Sequence, residues 1–187
     1  MNRSEATRPA DLAGDAEPSD LLERAFARHQ HELLGMLYYL VGNAEDARDA
    51  FQEAFLKCWR RRESVSQIEN LRAWIFRIAL NTGRDLRSTP WRRRRRPLPQ
   101  EESALRGEES QAEEQASRRE QLDLVRRALL GLRPEEQEVF LLRQNGQLTY
   151  EEIAQSINIP LGTVKTRMRL ALGKLREVLE ADDGRRT

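Results

Sequence analysis

The sequence predicts an all-α protein of two small helical domains joined by a flexible linker. Three observations carry this. Apolar residues recur at helical spacing over residues 20–88 and again over 117–180. No stretch alternates polar and apolar residues at a strand's period for a useful length. Between the two periodic zones, residues 89–116 hold three prolines, five consecutive arginines and an acidic stretch, which suits a linker. Residues 1–19, rich in Pro, Ala, Asp and Ser, are expected to be a disordered tail, and residues 181–187 a second short tail.

Each element has its own reason. Leu21–Val41 reads as one or two helices, ended by Gly42-Asn43. Ala44–Arg62 reads as the next helix. At 100° per residue, Ala47, Phe51, Ala54, Phe55 and Cys58 share one side, and Asp46, Asp49 and Glu53 fall nearly opposite. A third helix runs from about Asn70 to Arg87. Leu71, Trp74, Ile75, Ile78, Ala79 and Leu86 form its expected core stripe; another face gathers Arg77, Asn81 and Arg84, with Phe76 and Leu80 beside them. Trp59 and Trp74 read as core residues.

In the second zone Gln121–Leu132 is a helix. Arg133-Pro134-Glu135-Glu136 starts another, because proline suits the first helical position and acids suit the positive end of the helix dipole. Asn145-Gly146 stops it. Thr149-Tyr150-Glu151-Glu152 is a capping box that opens a short helix holding Ile153, Ala154 and Ile157. Asn158-Ile159-Pro160 makes a tight turn. Leu161–Arg176 follows with Val164, Met168, Ala171, Leu172 and Leu175 at helical spacing; its other positions carry Lys165, Arg167, Arg169, Lys174 and Arg176 and no acid. A short helix, a tight turn and a basic second helix are the parts of a helix-turn-helix. The second helix is expected in a major groove, where Arg and Lys reach guanine O6 and N7, and where Thr163 and Thr166 can add hydrogen bonds.

Composition excludes several classes. The 187 residues carry 32 Lys+Arg against 31 Asp+Glu, a net charge of +1, and charged residues make up 34 %. No apolar run approaches the roughly 18–20 residues that span a bilayer, and the start lacks the apolar core of a secretory signal, so the cytosol is the expected compartment. One cysteine, Cys58, cannot form an internal disulfide, and with only His29 and His31 beside it a structural zinc site is not expected. No paired carboxylates, nucleophile–base set or metal cluster points to an enzyme or a cofactor. Arginine outnumbers lysine 29 to 3, which a GC-rich genome produces by codon usage alone, so the position of each arginine has to carry the argument.

Both halves together resemble a known family: the sigma-70 type initiation factors of bacterial RNA polymerase, in the compact extracytoplasmic-function (ECF) group. Ala44-Glu-Asp-Ala-Arg-Asp-Ala-Phe-Gln-Glu-Ala-Phe-Leu-Lys-Cys-Trp is similar to that group's region 2.2, and Leu71-Arg-Ala-Trp-Ile-Phe-Arg-Ile-Ala-Leu-Asn-Thr to regions 2.3 and 2.4. Leu132-Arg-Pro-Glu-Glu-Gln-Glu-Val-Phe, Leu148-Thr-Tyr-Glu-Glu-Ile-Ala and Ile159-Pro-Leu-Gly-Thr-Val-Lys-Thr-Arg are similar to region 4 and the helix leading into it.

The resemblance implies that residues 20–88 dock on the β′ clamp helices of core RNA polymerase and open promoter DNA at the −10 element. It implies that residues 117–180 read the −35 element and touch the β flap. Asp46, Asp49 and Glu53 become the expected polymerase-docking stripe, whose acidity a basic partner surface complements. Arg77, Asn81 and Arg84 become −10 contacts, with Phe76 or Leu80 against an unstacked base. Thr163, Lys165, Thr166, Arg167 and Arg169 become −35 contacts. Loop Arg61–Glu69 matches the segment that pockets a flipped −10 base, with Val65 where relatives carry an aromatic. Leu170 and Leu172 stand where relatives often carry Arg, and predict more burial there. Trp91 and Arg92–Arg96 can follow the DNA backbone, and the acidic Gln100–Gln115 can thread toward the polymerase active centre. Many members are also held by an anti-sigma factor, a further partner. The alternative is a helix-turn-helix regulator that binds duplex DNA without polymerase, as a dimer on a palindrome.

Overall fold

A computed structural model describes residues 17–88 and 109–186, with side chains placed over 17–88 and 120–182. Among these residues every regular element is a helix. The first domain comprises α1 (Pro18–Arg28), α2 (Gln30–Val41), α3 (Ala44–Trp59), a 3₁₀ helix (Arg62–Gln67) and α4 (Leu71–Ser88). The second comprises α5 (Glu109–Leu130), α6 (Pro134–Gln144), α7 (Tyr150–Ile157) and α8 (Leu161–Arg186). The all-α, two-domain expectation holds.

Local chemistry sets the boundaries. Gly42 ends α2 at φ +99°, a left-handed conformation that glycine adopts without a Cβ penalty. Asn43 then caps α3: its side-chain oxygen accepts from the Asp46 amide at 2.8 Å, and its amide nitrogen donates to the Asp46 carboxylate at 2.9 Å. Asn70 caps α4 by accepting from the Ala73 amide at 2.9 Å. Three boundaries differ from the sequence reading. α3 stops at Trp59, where the Arg61 amide turns back to Cys58, and the chain enters the 3₁₀ helix instead of continuing to Arg62. α5 begins at Glu109, inside the stretch read as linker, and α8 runs to Arg186, through the expected C-terminal tail.

The core of the first domain is a mix of aliphatic side chains and a tight aromatic cluster. Leu22, Leu33, Met36, Leu37, Ile75, Phe76 and Leu80 are all 0 % exposed. Phe26 packs edge-on against Phe51 and Phe55, at 5.6 and 5.1 Å between ring centroids, and Phe55 carries the cluster on to Trp59. Trp59 and Trp74 are part-buried against this core, as expected. Gly83 permits the close approach of α4 to α2: a Cβ there would meet Leu40 Cδ2 at 2.6 Å. Lys57 ties α3 to α4, donating to Thr82 Oγ1 at 3.2 Å and pairing with Asp85 at 3.4 Å.

The two domains do not stand apart. One hydrophobic cluster runs from Leu22 through Leu80 and on into Val139, Leu141, Leu142, Leu148, Ile153, Val164 and Met168. A smaller cluster of Ala128, Leu129, Leu132, Ala171 and Leu175 joins α5 to α8, and Tyr39 packs against both. Residues 89–108, with Trp91 and Arg92–Arg96, lie outside the described residues, as do residues 1–16.

Candidate nucleic-acid interface

The helix-turn-helix forms as the sequence requires. Thr149 Oγ1 accepts from the Glu152 amide at 3.1 Å, and the Glu152 carboxylate accepts from the Thr149 amide at 2.7 Å, completing the capping box. Asn158 takes a left-handed conformation (φ 55°) to end α7, and its amide donates to the Ala154 carbonyl. Arg143 braces the start of α7 from outside, donating to the Leu148 carbonyl at 2.8 Å and lying over the Tyr150 ring. Val164, Met168, Ala171 and Leu175 turn into the core and fix the rotation of α8.

That rotation decides what α8 shows. Lys165, Thr166 and Arg169 are exposed, whereas Thr163 and Arg167 are partly covered. The Thr166 hydroxyl donates to the Gly162 carbonyl at 2.9 Å, so its proton is held within the helix and its oxygen faces outward as an acceptor. Leu170 and Leu172, expected to be more buried, are instead 41 % and 45 % exposed. The reason is register: Met168, Ala171 and Leu175 already fill the inward stripe, which leaves the flanking leucines on its edges. Tyr150, Lys165, Arg169, Leu172 and Arg176 border a shallow groove of about 370 Å³ on this surface.

On α4, Arg77, Asn81 and Arg84 share one exposed face, as the helical spacing predicts. Phe76 and Leu80 do not join it. Both are 0 % exposed, so neither is presented to an unstacked base. They sit on the side of α4 that packs against the rest of the first domain, and Arg72 lies over the Phe76 ring, 5.8 Å from its centroid. Val65 is likewise 3 % exposed and belongs to the core, inside the 3₁₀ helix of the expected base-capturing loop.

The acidic stripe of α3 divides. Asp49 and Glu53 are exposed on the outer face, but Asp46 is half-buried and engaged in the Asn43 cap. Leu56, 46 % exposed, lies seven residues after Asp49 and three after Glu53 and so shares their face. The spacing alone places it there; counting charges passes over it.

One buried acid pairs with Arg84 of α4 and feels the charge of Arg167 on α8. Glu138 on α6 is 5 % exposed, and its carboxylate pairs with Arg84 Nη2 at 3.1 Å. Burial pushes the Glu138 carboxyl above its usual range, while the charges of Arg84 and Arg167 pull it back. Neighbouring Glu136 behaves oppositely. Burial pushes it up, but hydrogen bonds from Lys174 and the Arg133 amide, with the charges of Lys174 and Arg133, hold it below its usual range. Cys58 is buried and its thiol is pushed up to about 12, mainly by burial, which suits packing and not chemistry.

A two-domain helical protein with a basic helix-turn-helix and a second arginine-bearing helix has the architecture of a DNA-binding protein. The family comparisons say which. The family model for sigma-70 region 2 matches residues 25–96, and that for sigma-70 region 4 matches residues 122–175. The chain is 30 % identical over 165 residues to the RNA polymerase sigma-H factor of Pseudomonas aeruginosa, covering 83 % of this chain and 82 % of that one. It is 28 % identical over 158 residues to the RNA polymerase sigma factor YlaC of Bacillus subtilis, covering 83 % and 91 %. The chain therefore belongs to the sigma-70 family, in its extracytoplasmic-function group, and is an RNA polymerase sigma factor acting in transcription initiation. The stand-alone regulator is not favoured. Two solved structures share the fold: CnrH in complex with the cytosolic domain of CnrY (TM-score 0.64, 24 % identity, 92 % of this chain and 95 % of that one), and the sigma factor RpoE in complex with the anti-sigma factor NepR from Bartonella quintana (TM-score 0.64, 20 % identity, 86 % and 97 %). Among the described residues no helix is long and apolar enough to cross a membrane.

Proposed function

We propose that this sigma factor divides its work among three faces. The outer face of α3, with Asp49 and Glu53 around the exposed Leu56 and with Asp46 at its start, docks on core RNA polymerase at the β′ clamp helices. Arg77, Asn81 and Arg84 on α4 hold the opened −10 strand. Thr163, Lys165, Thr166, Arg167 and Arg169 on α8 read the −35 duplex, and the surrounding second domain meets the β flap. The chain works in the cytoplasm and supplies binding and strand opening, while the bond-making belongs to the polymerase. An anti-sigma factor regulates it; the fold neighbour RpoE is bound to such a partner, NepR.

The observation that carries this reading is the presence of two separate arginine-bearing faces, one on each domain. A promoter read at two positions needs one reader per element, and a tether between them. An acidic, leucine-centred face on α3 then remains for the protein partner.

Run-off transcription with purified core polymerase and a promoter library tests it. Transcripts specific to a subset of promoters are expected only when the chain is added. Asp49→Arg and Glu53→Arg are expected to abolish pull-down of core polymerase. Arg167→Ala is expected to weaken −35 recognition by about 1–3 kcal/mol if it makes a bidentate base contact. Tight duplex binding by the chain alone, with no effect on polymerase, refutes the assignment.

A further inference from the structure

The face of α4 that carries Arg77 and Asn81 also carries an acid. Asp85 follows Asn81 by one turn, so the two side chains are neighbours on the helix surface. It is the one acidic residue of α4, against four arginines, and its side chain is 75 % exposed. A carboxylate at that place repels a phosphate-bearing strand. A cation from another helix meets it. Lys57 reaches across from α3, its Nζ 3.4 Å from Asp85 Oδ2, and donates to Thr82 Oγ1 at 3.2 Å. Thr82 is buried, and its own hydroxyl donates to the Ile78 carbonyl at 2.9 Å. Two acceptors three residues apart on α4 therefore hold the ammonium at the edge of this face.

We propose that Lys57 is a positioning residue of the −10 face: it acts through Asp85, offsetting that carboxylate so that it does not repel the opened strand beside Asn81. The inference rests on the −10 role proposed for Arg77, Asn81 and Arg84. Two observations favour an electrostatic role over a structural one. The ion pair is open to water on both sides, and such pairs contribute little to folding. α3 and α4 already share a buried core in which Ala54, Cys58, Ile75 and Ala79 are all 0 % exposed. The charge itself has a short way to act. Residues one turn apart are separated by about 5.4 Å along the helix axis, inside the Debye length of about 8 Å at physiological salt. A phosphate held at Asn81 therefore feels whether Asp85 is offset.

The test is a charge cycle on the assembled holoenzyme. Full-length variants are combined with core RNA polymerase on the most active promoter from the run-off library. Strand opening is read from the permanganate reactivity of thymines in the opened region, as holoenzyme is titrated at low and at physiological salt. Lys57→Met is expected to weaken opening about five-fold, with the larger loss at low salt, where repulsion of the strand is least screened. Lys57→Met combined with Asp85→Asn returns the pair to zero net charge and is expected to restore native opening. Asp85→Asn alone is expected to match or exceed the native chain. Arg24→Met removes the same charge from the exposed side of α1 and is expected to change nothing. Thermal unfolding is followed for each chain, and Lys57→Gln, which keeps a donor for Thr82, replaces Lys57→Met if that variant melts early. A double variant as weak as Lys57→Met overturns the proposal, because the lysine then acts through the fold. So does Arg24→Met matching Lys57→Met, or a loss of core pull-down that accounts for the loss of opening. Arg77→Ala separates this idea from the reading beneath it. If it reduces opening, the −10 assignment stands whatever Lys57 does; if opening is unchanged, that assignment fails and the proposal with it.

Discussion

Lys174 reaches across from α8 to the start of α6 and donates to both oxygens of Glu136, at 2.6 and 2.9 Å. Glu136 also accepts from the Arg133 amide at 3.1 Å, so one carboxylate caps a helix and anchors another. Only 4 % of its side chain is exposed. Lys174→Met leaves that carboxylate buried with one partner fewer, and is expected to destabilise the chain by about 2 kcal/mol at pH 7 in urea unfolding. The sign of the pH dependence follows from the lowered carboxyl. A group whose folded pKa lies below its unfolded value stabilises the fold above that unfolded value, near 4.3 for Glu, and loses this as pH falls through the folded one. The gap between native and Lys174→Met chains is therefore expected to close under acid. Glu138 runs the other way: its raised carboxyl means that the folded state takes up a proton first, so its contribution improves as pH falls. Two glutamates two residues apart on α6 thus differ in sign, because one has a hydrogen-bonded ammonium and the other an off-axis guanidinium.

Helix ends and helix crossings carry the next level. α7 has only eight residues, too few to be stable by propensity, so its capping box and its packing must hold it. Thr149→Ala removes the oxygen that receives the Glu152 amide, and is expected to cost about 1 kcal/mol in thermal unfolding. The same change loosens the first helix of the helix-turn-helix without altering any α8 residue proposed to read DNA. The α2–α4 crossing depends on Gly83. Gly83→Ala gains helix propensity of about 1 kcal/mol, but its Cβ meets Leu40 at 2.6 Å and Leu37 at 3.0 Å. Overpacking in a close-packed core costs about 1–3 kcal/mol, so the net effect is expected to be a lower melting temperature despite the better helix former. A melting temperature at or above that of the native chain contradicts this account of the crossing.

At the scale of the whole molecule, Tyr39, like Phe140, sits where the two apolar clusters meet. It packs against the large shared core and against the α5–α8 cluster, and its ring stacks edge-on with Tyr38 at 5.7 Å. Tyr39→Ala is expected to uncouple the domains, so that scanning calorimetry resolves two transitions where the native chain gives one. A single transition merely shifted to lower temperature speaks against coupling through this residue. The same shared core explains how two domains of such modest size reach stability, since small cores on their own are marginal.

Helix positions, the helix-turn-helix and the exposed arginine face of α4 were all legible in the sequence, because each depends on spacing along one helix and on caps within four residues. Which of two adjacent apolar stripes turns inward was not legible. Phe76 and Leu80 lie close enough to the Arg77–Asn81–Arg84 face to be read with it, and only the packing of α4 on the first domain buried them; Leu170 and Leu172 went outward because Met168 and Ala171 had filled the space. The meeting of Arg84 with Glu138 lay equally out of reach. These residues are 54 positions apart, and nothing local to either one states that a buried acid on α6 will face an arginine on α4. Periodicity and capping are properties of a single segment, whereas burial and charge pairing are settled by which segments meet.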